Sequence, residues 1–140
     1  MTRFPGKFAF GLAALLLVAC GGPLKYQVAS TDKAKGADAT IKAEAKTAEH
    51  QMVLSIDAVN LAPPTRITDG AKAFVVWARK STAAQWSRVG NFTYDESARS
   101  AKFNGTFPEL EFDIEISVEK DDNAGAPSSD IIFSQHIGPG

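Results

Sequence analysis

Residues 110–119 read Leu-Glu-Phe-Asp-Ile-Glu-Ile-Ser-Val-Glu, so that every second side chain from Leu110 to Val118 is apolar. A period of two is typical of a β-strand that packs one face against a core and exposes the other. A helix would distribute the same side chains around its whole circumference. The stretch therefore predicts a strand with Phe112 and Ile114 in the core and with acidic residues on the opposite face.

Residues 38–140 continue this pattern in shorter segments. Apolar or alternating runs are separated by turn signals such as Pro63-Pro64, Asp69-Gly70 and Asn104-Gly105. The runs predict strands within residues 38–46, 52–58, 72–80, 86–94 (with a bulge at Gly90), 101–103 and 131–137. Because both faces of the run 73–78 are apolar, we expect its Trp77 to fill the core between two sheets. The sequence thus predicts an all-β fold, an antiparallel immunoglobulin-like β-sandwich of seven or eight strands.

The first twenty residues have a different composition. Arg3 and Lys7 precede residues 8–19, which carry no charge. An uncharged run of this length is typical of a secretory signal peptide, whereas a membrane-spanning helix needs about 20 apolar residues. Gly21-Gly22-Pro23 then disfavours continuation of a helix. This segment predicts a cleaved signal helix in front of an exported domain.

The end of that run, Leu17-Val18-Ala19-Cys20, contains the only cysteine of the chain and resembles the lipobox of bacterial lipoproteins. The resemblance implies that Cys20 receives a diacylglycerol, that the leader is cut before it, and that its new amine is acylated, for example with palmitate. Together with the strand pattern, it divides the chain into a lipoprotein signal peptide (residues 1–19), a lipidated tether (20–37) and the β-sandwich (38–140). Within the tether, residues 24–28 form either a short strand or simply part of the flexible connection. The alternative is an ordinary signal peptide with an incidental cysteine.

The resemblance also implies a location. A lipoprotein is anchored in a membrane of the bacterial cell envelope, and several acyl chains are needed for stable anchoring. By similarity to enterobacterial sorting signals, a glycine after the lipidated cysteine favours the outer membrane over the inner membrane. If residues 21–37 were all flexible, they would span about 20–25 Å and let the domain swivel above the lipid.

Three segments of the predicted sandwich resemble the extracellular domain of anti-sigma-K-type regulators. They are residues 73–79, which contain Trp77, residues 88–95, and residues 107–119 with Pro127 in the following loop. The sigma-binding domain and transmembrane helix of that family have no counterpart in this sequence. The resemblance therefore implies the sandwich architecture alone.

Clusters of titratable residues are few. Glu111, Asp113, Glu115 and Glu119 share a strand face, which we interpret as solvated and paired with Lys72, Arg79 or Lys102 on neighbouring strands. The alternative is a Ca²⁺ site completed by Asp121 and Asp122. The two histidines, His50 and His136, lie in separate segments, and with Cys20 lipidated no thiol nucleophile remains. We therefore predict no catalytic residue, no metal site and no cofactor.

The remaining candidate for function is a surface. Trp86 follows a polar turn, and together with Tyr94 it would form a recognition patch for a protein or a sugar ring. The net charge of −1 and the lack of a basic cluster argue against nucleic acid as a partner. We expect a non-catalytic module that binds or scaffolds an envelope protein or glycan. The alternative is a small envelope hydrolase or metal-dependent enzyme with a site built from loops 63–69 and 121–129.

Overall fold

The computed structural model describes residues 22–139, so the predicted signal peptide and Cys20, the predicted lipidation site, lie outside the described residues. Within this range the chain forms nine strands, and its helical segments are single turns at Asp32–Ala34, Thr47–Glu49 and Pro64–Ile67. The strands are β1 (Leu24–Ala29), β2 (Asp38–Lys46), β3 (Gln51–Val59), β4 (Ala73–Arg79), β5 (Ser87–Asn91), β6 (Thr93–Asp95), β7 (Ser100–Phe107), β8 (Phe112–Glu119) and β9 (Ile131–Ile137). No helix in the described part of the chain has the length and apolarity required to cross a bilayer.

The strands pair into two antiparallel sheets, of order β1-β2-β3-β7-β6 and β5-β4-β8-β9. Apart from β1, this is the order of the A-B-E-D and C′-C-F-G sheets of immunoglobulin-like sandwiches. The predicted fold class is confirmed.

The core lies between the sheets and follows the alternation of the sequence. From β8 it receives Phe112 and Ile114, which are 0% and 1% exposed, together with Ile116 and Val118. The five-stranded sheet contributes Ile41, Leu54 and Ile56 at 0% exposure. Alternation therefore places the inward face of both sheets correctly.

Of the two alternatives for residues 24–28, the strand is confirmed, and the expected flexible tether is wrong for residues 24–37. β1 pairs with β2 along its whole extent, from Leu24 opposite Ala43 to Ala29 opposite Asp38. The following segment is also fixed, because the Thr31 N–H donates to the Ile132 carbonyl at 2.9 Å and Ala34 is 8% exposed. Without β1, β2 would be an edge strand with a row of unpaired backbone donors and acceptors. Residues 24–29 form β1 because they pair with these groups.

The nine strands exceed the predicted seven or eight for two reasons: residues 24–29 form an additional strand, and residues 86–94 contribute to two strands instead of one. β5 belongs to the four-stranded sheet and β6 to the five-stranded sheet, and the chain changes sheets at Phe92. A bulge is present: Gly90 pairs with Val76 and Arg88 with Trp77, so Val89 is the extra residue. A Cβ atom on Gly90 would lie 2.6 Å from the Phe103 ring, which accounts for glycine here.

The turns of the sandwich gather at two ends. Neighbouring strands are antiparallel, so the turns alternate between the two ends. One end, which we call the basal end, is the one nearer to Leu24, which pairs with Ala43 three residues before the end of β2, and it holds residues 47–50, 80–86, 108–111 and 138–139. The opposite, apical end holds residues 30–37, 60–72, 96–99 and 120–130. Both histidines lie in or beside the basal end.

Candidate functional site

The outer face of the four-stranded sheet carries the polar, charged and aromatic side chains of β4, β8 and β9 that could form a functional site. Trp77 belongs to this face, because Phe74, Val76 and Ala78 point into the core on the alternate positions of β4. The expectation that Trp77 fills the core between the sheets is therefore wrong. Trp77 is nevertheless 0% exposed, so another part of the chain must cover it on the side facing away from the core.

The cover is the loop of residues 120–130, which folds back over the sheet. The guanidinium of Arg88 donates to the Asp122 carbonyl, and the side-chain amide of Asn91 donates to the same oxygen at 3.4 Å. Both residues belong to β5, and β4 lies between β5 and β8. To reach them from the end of β8 the loop must cross β4 above Val75 and Trp77. The apical half of this face is thus closed.

Beneath the loop, a chain of hydrogen bonds satisfies the buried polar groups. Trp77 Nε1 donates to Ser117 Oγ at 2.8 Å, and the Ser117 hydroxyl donates to Glu119 Oε2. The Ser128 N–H donates to the same carboxylate oxygen at 2.8 Å. Glu119 is 5% exposed, so the interpretation of the acidic row as a solvated face is wrong at this residue. No buried side-chain nitrogen or oxygen within residues 22–139 lacks a partner.

The basal half of the face is open and holds a linear charge cluster. Arg79 Nε donates to Asp113 Oδ2 at 3.2 Å, which confirms the expected pairing of Arg79 with the acidic row. His136 Nδ1 lies 2.8 Å from Asp113 Oδ1, and its Nε2 lies 2.8 Å from Glu111 Oε2. No local sequence pattern predicts this triplet, because it forms only when β9 pairs with β8 in the register that sets His136 opposite Asp113.

These contacts shift the protonation of the cluster. The hydrogen bonds to Asp113 and then Glu111 raise the pKa of His136. The hydrogen bond from His136, followed by that from Arg79, lowers the pKa of Asp113 despite its partial desolvation. A carboxylate lies 2.8 Å from each ring nitrogen, so both nitrogens are engaged, and the raised pKa favours the protonated ring, which donates on both sides. Such a ring has no free nitrogen with which to accept a proton from a nucleophile.

Trp86 completes the open half. The Cζ atom of Arg79 lies 4.3 Å from the centroid of the Trp86 ring, so the guanidinium stacks on the indole and bonds Asp113 at the same time. Beside them lies a shallow groove of about 260 Å³, which we call the Trp86 groove; it is lined by Arg79, Trp86, Asp113, Ile114, Glu115, Ser134, Gln135 and His136. Burial raises the pKa of Glu115 against the opposing effect of Arg79.

Tyr94 lies elsewhere, so the predicted Trp86–Tyr94 patch does not form. Its hydroxyl donates to the Leu61 carbonyl at 2.5 Å, and its ring packs 5.5 Å from that of Phe74. Phe74 and Arg79 stand at opposite ends of β4, about 17 Å apart at 3.3 Å per residue. The cause is the change of sheet at Phe92, which the sequence did not reveal.

The other predicted candidates are dispersed. His50 lies in the turn after β2, where its ring is 67% exposed and its Nε2 is 3.7 Å from Glu109 Oε1. The Asp121 carboxylate accepts the Asn123 N–H at 2.9 Å within its own loop and does not extend the acidic row. Among residues 22–139, no three or more His, Cys, Asp or Glu side chains are arranged to hold a metal ion.

A larger groove of about 610 Å³ runs beside β6 and β7. Its floor is formed by Phe103, and its rim by polar groups such as Asn91, Thr93 and Asn104. Lys102 on this rim is already paired with Asp57 at 2.9 Å. This groove is the larger of the two, but its aromatic and charged side chains do not contact one another. In the smaller Trp86 groove they do, because the Arg79 guanidinium stacks on the indole ring and pairs with Asp113.

Comparison with known proteins assigns the chain to no group: no protein-family model matches it, and no curated protein matches it.

Proposed function

We propose that this protein is a lipid-anchored component of a bacterial cell envelope and that its β-sandwich binds another envelope component through the Trp86 groove, without catalysing a reaction. Leu17-Val18-Ala19-Cys20 supports the anchor, with the outer membrane as the favoured location. The β-sandwich supplies a rigid sheet face on which the groove is built.

The proposal is supported above all by the engagement of both ring nitrogens of His136. A general base needs an unprotonated nitrogen within reach of the nucleophile, and here both nitrogens are 2.8 Å from carboxylates. The groove instead offers an indole ring, a guanidinium, a carboxyl, an amide and a hydroxyl in fixed positions. Such groups stack on and hydrogen-bond to a partner, and tryptophan and arginine are enriched among residues that dominate binding energy. The pattern suits a protein segment or a sugar ring.

The anchor is tested by intact-mass analysis of the membrane fraction. The expected mature species begins at Cys20 and carries the mass of its acyl chains. Cys20→Ala is expected to leave the precursor uncut and without lipid. A mature protein with an unmodified thiol at Cys20 would contradict the anchor.

The groove is tested by chemical crosslinking of the intact lipidated protein in its own envelope. Trp86→Ala removes the indole and frees the Arg79 guanidinium, so we expect the yield of its specific adduct to fall by about tenfold, as for a central contact. His50→Ala is the matched control, because it lies at the same end of the sandwich but outside the groove, and we expect no change. A measurable turnover that His136→Ala abolishes would instead identify an enzyme.

A further inference from the structure

We propose that the basal end of the sandwich is held against the lipid surface, so that the Trp86 groove opens beside the lipid headgroups and recognises its partner there. This inference rests on the proposed lipidation of Cys20 and adds an orientation to it. Its basis is the position at which the chain becomes fixed in the sheet.

The fixed part of the chain begins close to the anchor. Only Gly21, Gly22 and Pro23 separate Cys20 from Leu24, the first residue of β1. From Leu24 onward, β1 is paired with β2 at every residue. Tyr26 adds a second attachment, because its hydroxyl oxygen accepts the Gly138 N–H at 2.9 Å. β1 is thereby held to both sheets, to β2 of the five-stranded sheet and to the end of β9 in the four-stranded sheet, and cannot act as a spacer.

The length of chain that remains limits the distance from the membrane. Four residue steps from Cys20 to Leu24 span at most about 14 Å, even when the chain is fully extended. A nine-residue strand such as β2 is about 30 Å long. Leu24 pairs with Ala43, five residues or about 17 Å from Asp38 at the apical end of β2, and the apical loops extend beyond Asp38. If the apical end faced the lipid, this distance would exceed the reach of the chain, whereas the basal end of β2 at Lys46 is three residues or about 10 Å from Ala43. The basal end is therefore the one nearest the membrane.

The same geometry positions the Trp86 groove. Arg79 and Trp86 bound the β4–β5 connection, and His136 precedes the last residue of β9, so the open half of the outer face is its basal half. The loop of residues 120–130 closes the apical half, which points away from the lipid. A partner entering the groove must therefore come within reach of the membrane surface. The partner of this account is a component that is itself at the membrane or bound to it.

The orientation can be measured with single cysteines, because the only native cysteine is consumed by lipidation in the proposed mature protein. Four exposed alanines give matched sites: Ala48 and Ala83 at the basal end, and Ala98 and Ala126 at the apical end. Each variant is labelled with a fluorophore and added in lipidated form to preformed phosphatidylethanolamine and phosphatidylglycerol vesicles. These vesicles contain a lipid with a nitroxide on its headgroup, which quenches fluorescence at short range.

We expect quenching at positions 48 and 83 to exceed quenching at 98 and 126 by at least about threefold, since the two ends are about 30 Å apart. Equal quenching at both ends, or stronger quenching at the apical end, in protein that floats with the vesicles would overturn the orientation but leave the anchor intact. Failure of the full-length protein to float would overturn the anchor and the orientation together.

A second variant tests the cause. Inserting ten Gly and Ser residues between Gly22 and Pro23 extends the maximal reach to about 50 Å, which exceeds the length of the sandwich. The difference between basal and apical quenching is then expected to fall toward zero, while flotation is unchanged. A difference that persists in this variant would show that something other than the short connection orients the domain, and it would contradict the inference.

Discussion

The two outer faces of the sandwich differ although both alternate with the same core. On the five-stranded sheet most outward side chains are polar and solvated, as in the Lys102–Asp57 pair, whose side chains are 73% and 45% exposed, and even the outward Val59 is 48% exposed. On the four-stranded sheet, Trp77 and Ser117 point outward and are 0% exposed, because the loop of residues 120–130 lies over them. Alternation along a strand therefore determines which face packs on the core, whereas a loop that is distant in the sequence determines whether the opposite face is exposed to solvent.

Among substitutions that test this difference between the two outer faces, we expect the largest loss of stability from Trp77→Ala. Because Trp77 is as buried as the core, its removal should lower the free energy of unfolding by about 3–5 kcal/mol, as buried aromatic truncations do. Ile114→Ala, on the true core face of the neighbouring strand, should cost a similar amount, about 2–5 kcal/mol. Denaturant midpoints measure both. A loss below about 1 kcal/mol for Trp77→Ala, as at surface sites, would mean that the loop does not cover this face in solution.

A smaller effect is expected from a pair of serine substitutions, one on each outer face. Ser117→Ala leaves the Trp77 N–H and the Glu119 carboxylate without their buried partner, which should cost about 1–3 kcal/mol. Ser55→Ala removes a hydroxyl from the solvated face of the five-stranded sheet and should cost about 0.5 kcal/mol or less. Equal losses in the two unfolding curves would contradict the difference between the faces.

The charge cluster at the basal end should give the four-stranded face a pH dependence. The raised pKa of His136 stabilises the fold below about pH 6.5, the ordinary histidine value, and this contribution is lost as the pH rises through the raised folded-state value. The lowered pKa of Asp113 stabilises above about pH 3.9 and is lost as the pH falls through the lowered value. The cluster is therefore most stabilising between about pH 4 and 6.5.

His136→Gln tests this window. Its free energy of unfolding should lie below that of the wild type at pH 5.5, by less than about 1 kcal/mol because the ring is partly solvated, and the difference should shrink by pH 9. His50→Gln is the matched control: its exposed ring has one carboxylate at 3.7 Å, so we expect a smaller difference. If the stability difference between the wild type and His136→Gln grew from pH 5.5 to pH 9, the protonated ring would not be the stabilising form, and the expected pH dependence would be wrong.

The smallest effect belongs to the solvated face. Lys102 Nζ lies 2.9 Å from Asp57 Oδ1 across β3 and β7, but both side chains are largely exposed. A double-mutant cycle with Lys102→Gln and Asp57→Asn should give a coupling energy below about 0.5 kcal/mol, which falls further with added salt. A coupling above about 1.5 kcal/mol would show that this face is more desolvated than its exposure indicates.

Local patterns in the sequence predicted much of the fold. The alternation of residues 110–119 placed Phe112 and Ile114 in the core, and the immunoglobulin-like sandwich is as expected. The pattern failed for Trp77, because in a strand that is apolar on both faces it does not show which face meets the second sheet. It left two alternatives for residues 24–28, a strand and a tether, because a short alternating stretch beside a polar linker forms a strand only when the edge of a sheet is available to pair with it.

The candidate site was less predictable, because it depends on contacts between residues far apart in the chain. Trp86 was recognised as a surface candidate, but its neighbour Arg79 is set by the β4–β5 connection and His136 by the register of β9 against β8. Tyr94 was assigned to the wrong neighbour because the chain changes sheets at Phe92. Composition and spacing carry no information on such crossings.

If the proposed function is right, the protein binds its partner through the open half of the four-stranded face and not through the solvated face. This is measured by replacing one serine on each face, Ser134 in the Trp86 groove or Ser55 on the five-stranded sheet, with a photocrosslinking amino acid in the full-length protein in its native cells. The account predicts a discrete adduct from position 134 that disappears when Trp86→Ala is added, and no adduct from position 55. An adduct from position 55 alone, or one from position 134 that Trp86→Ala leaves unchanged, would contradict it.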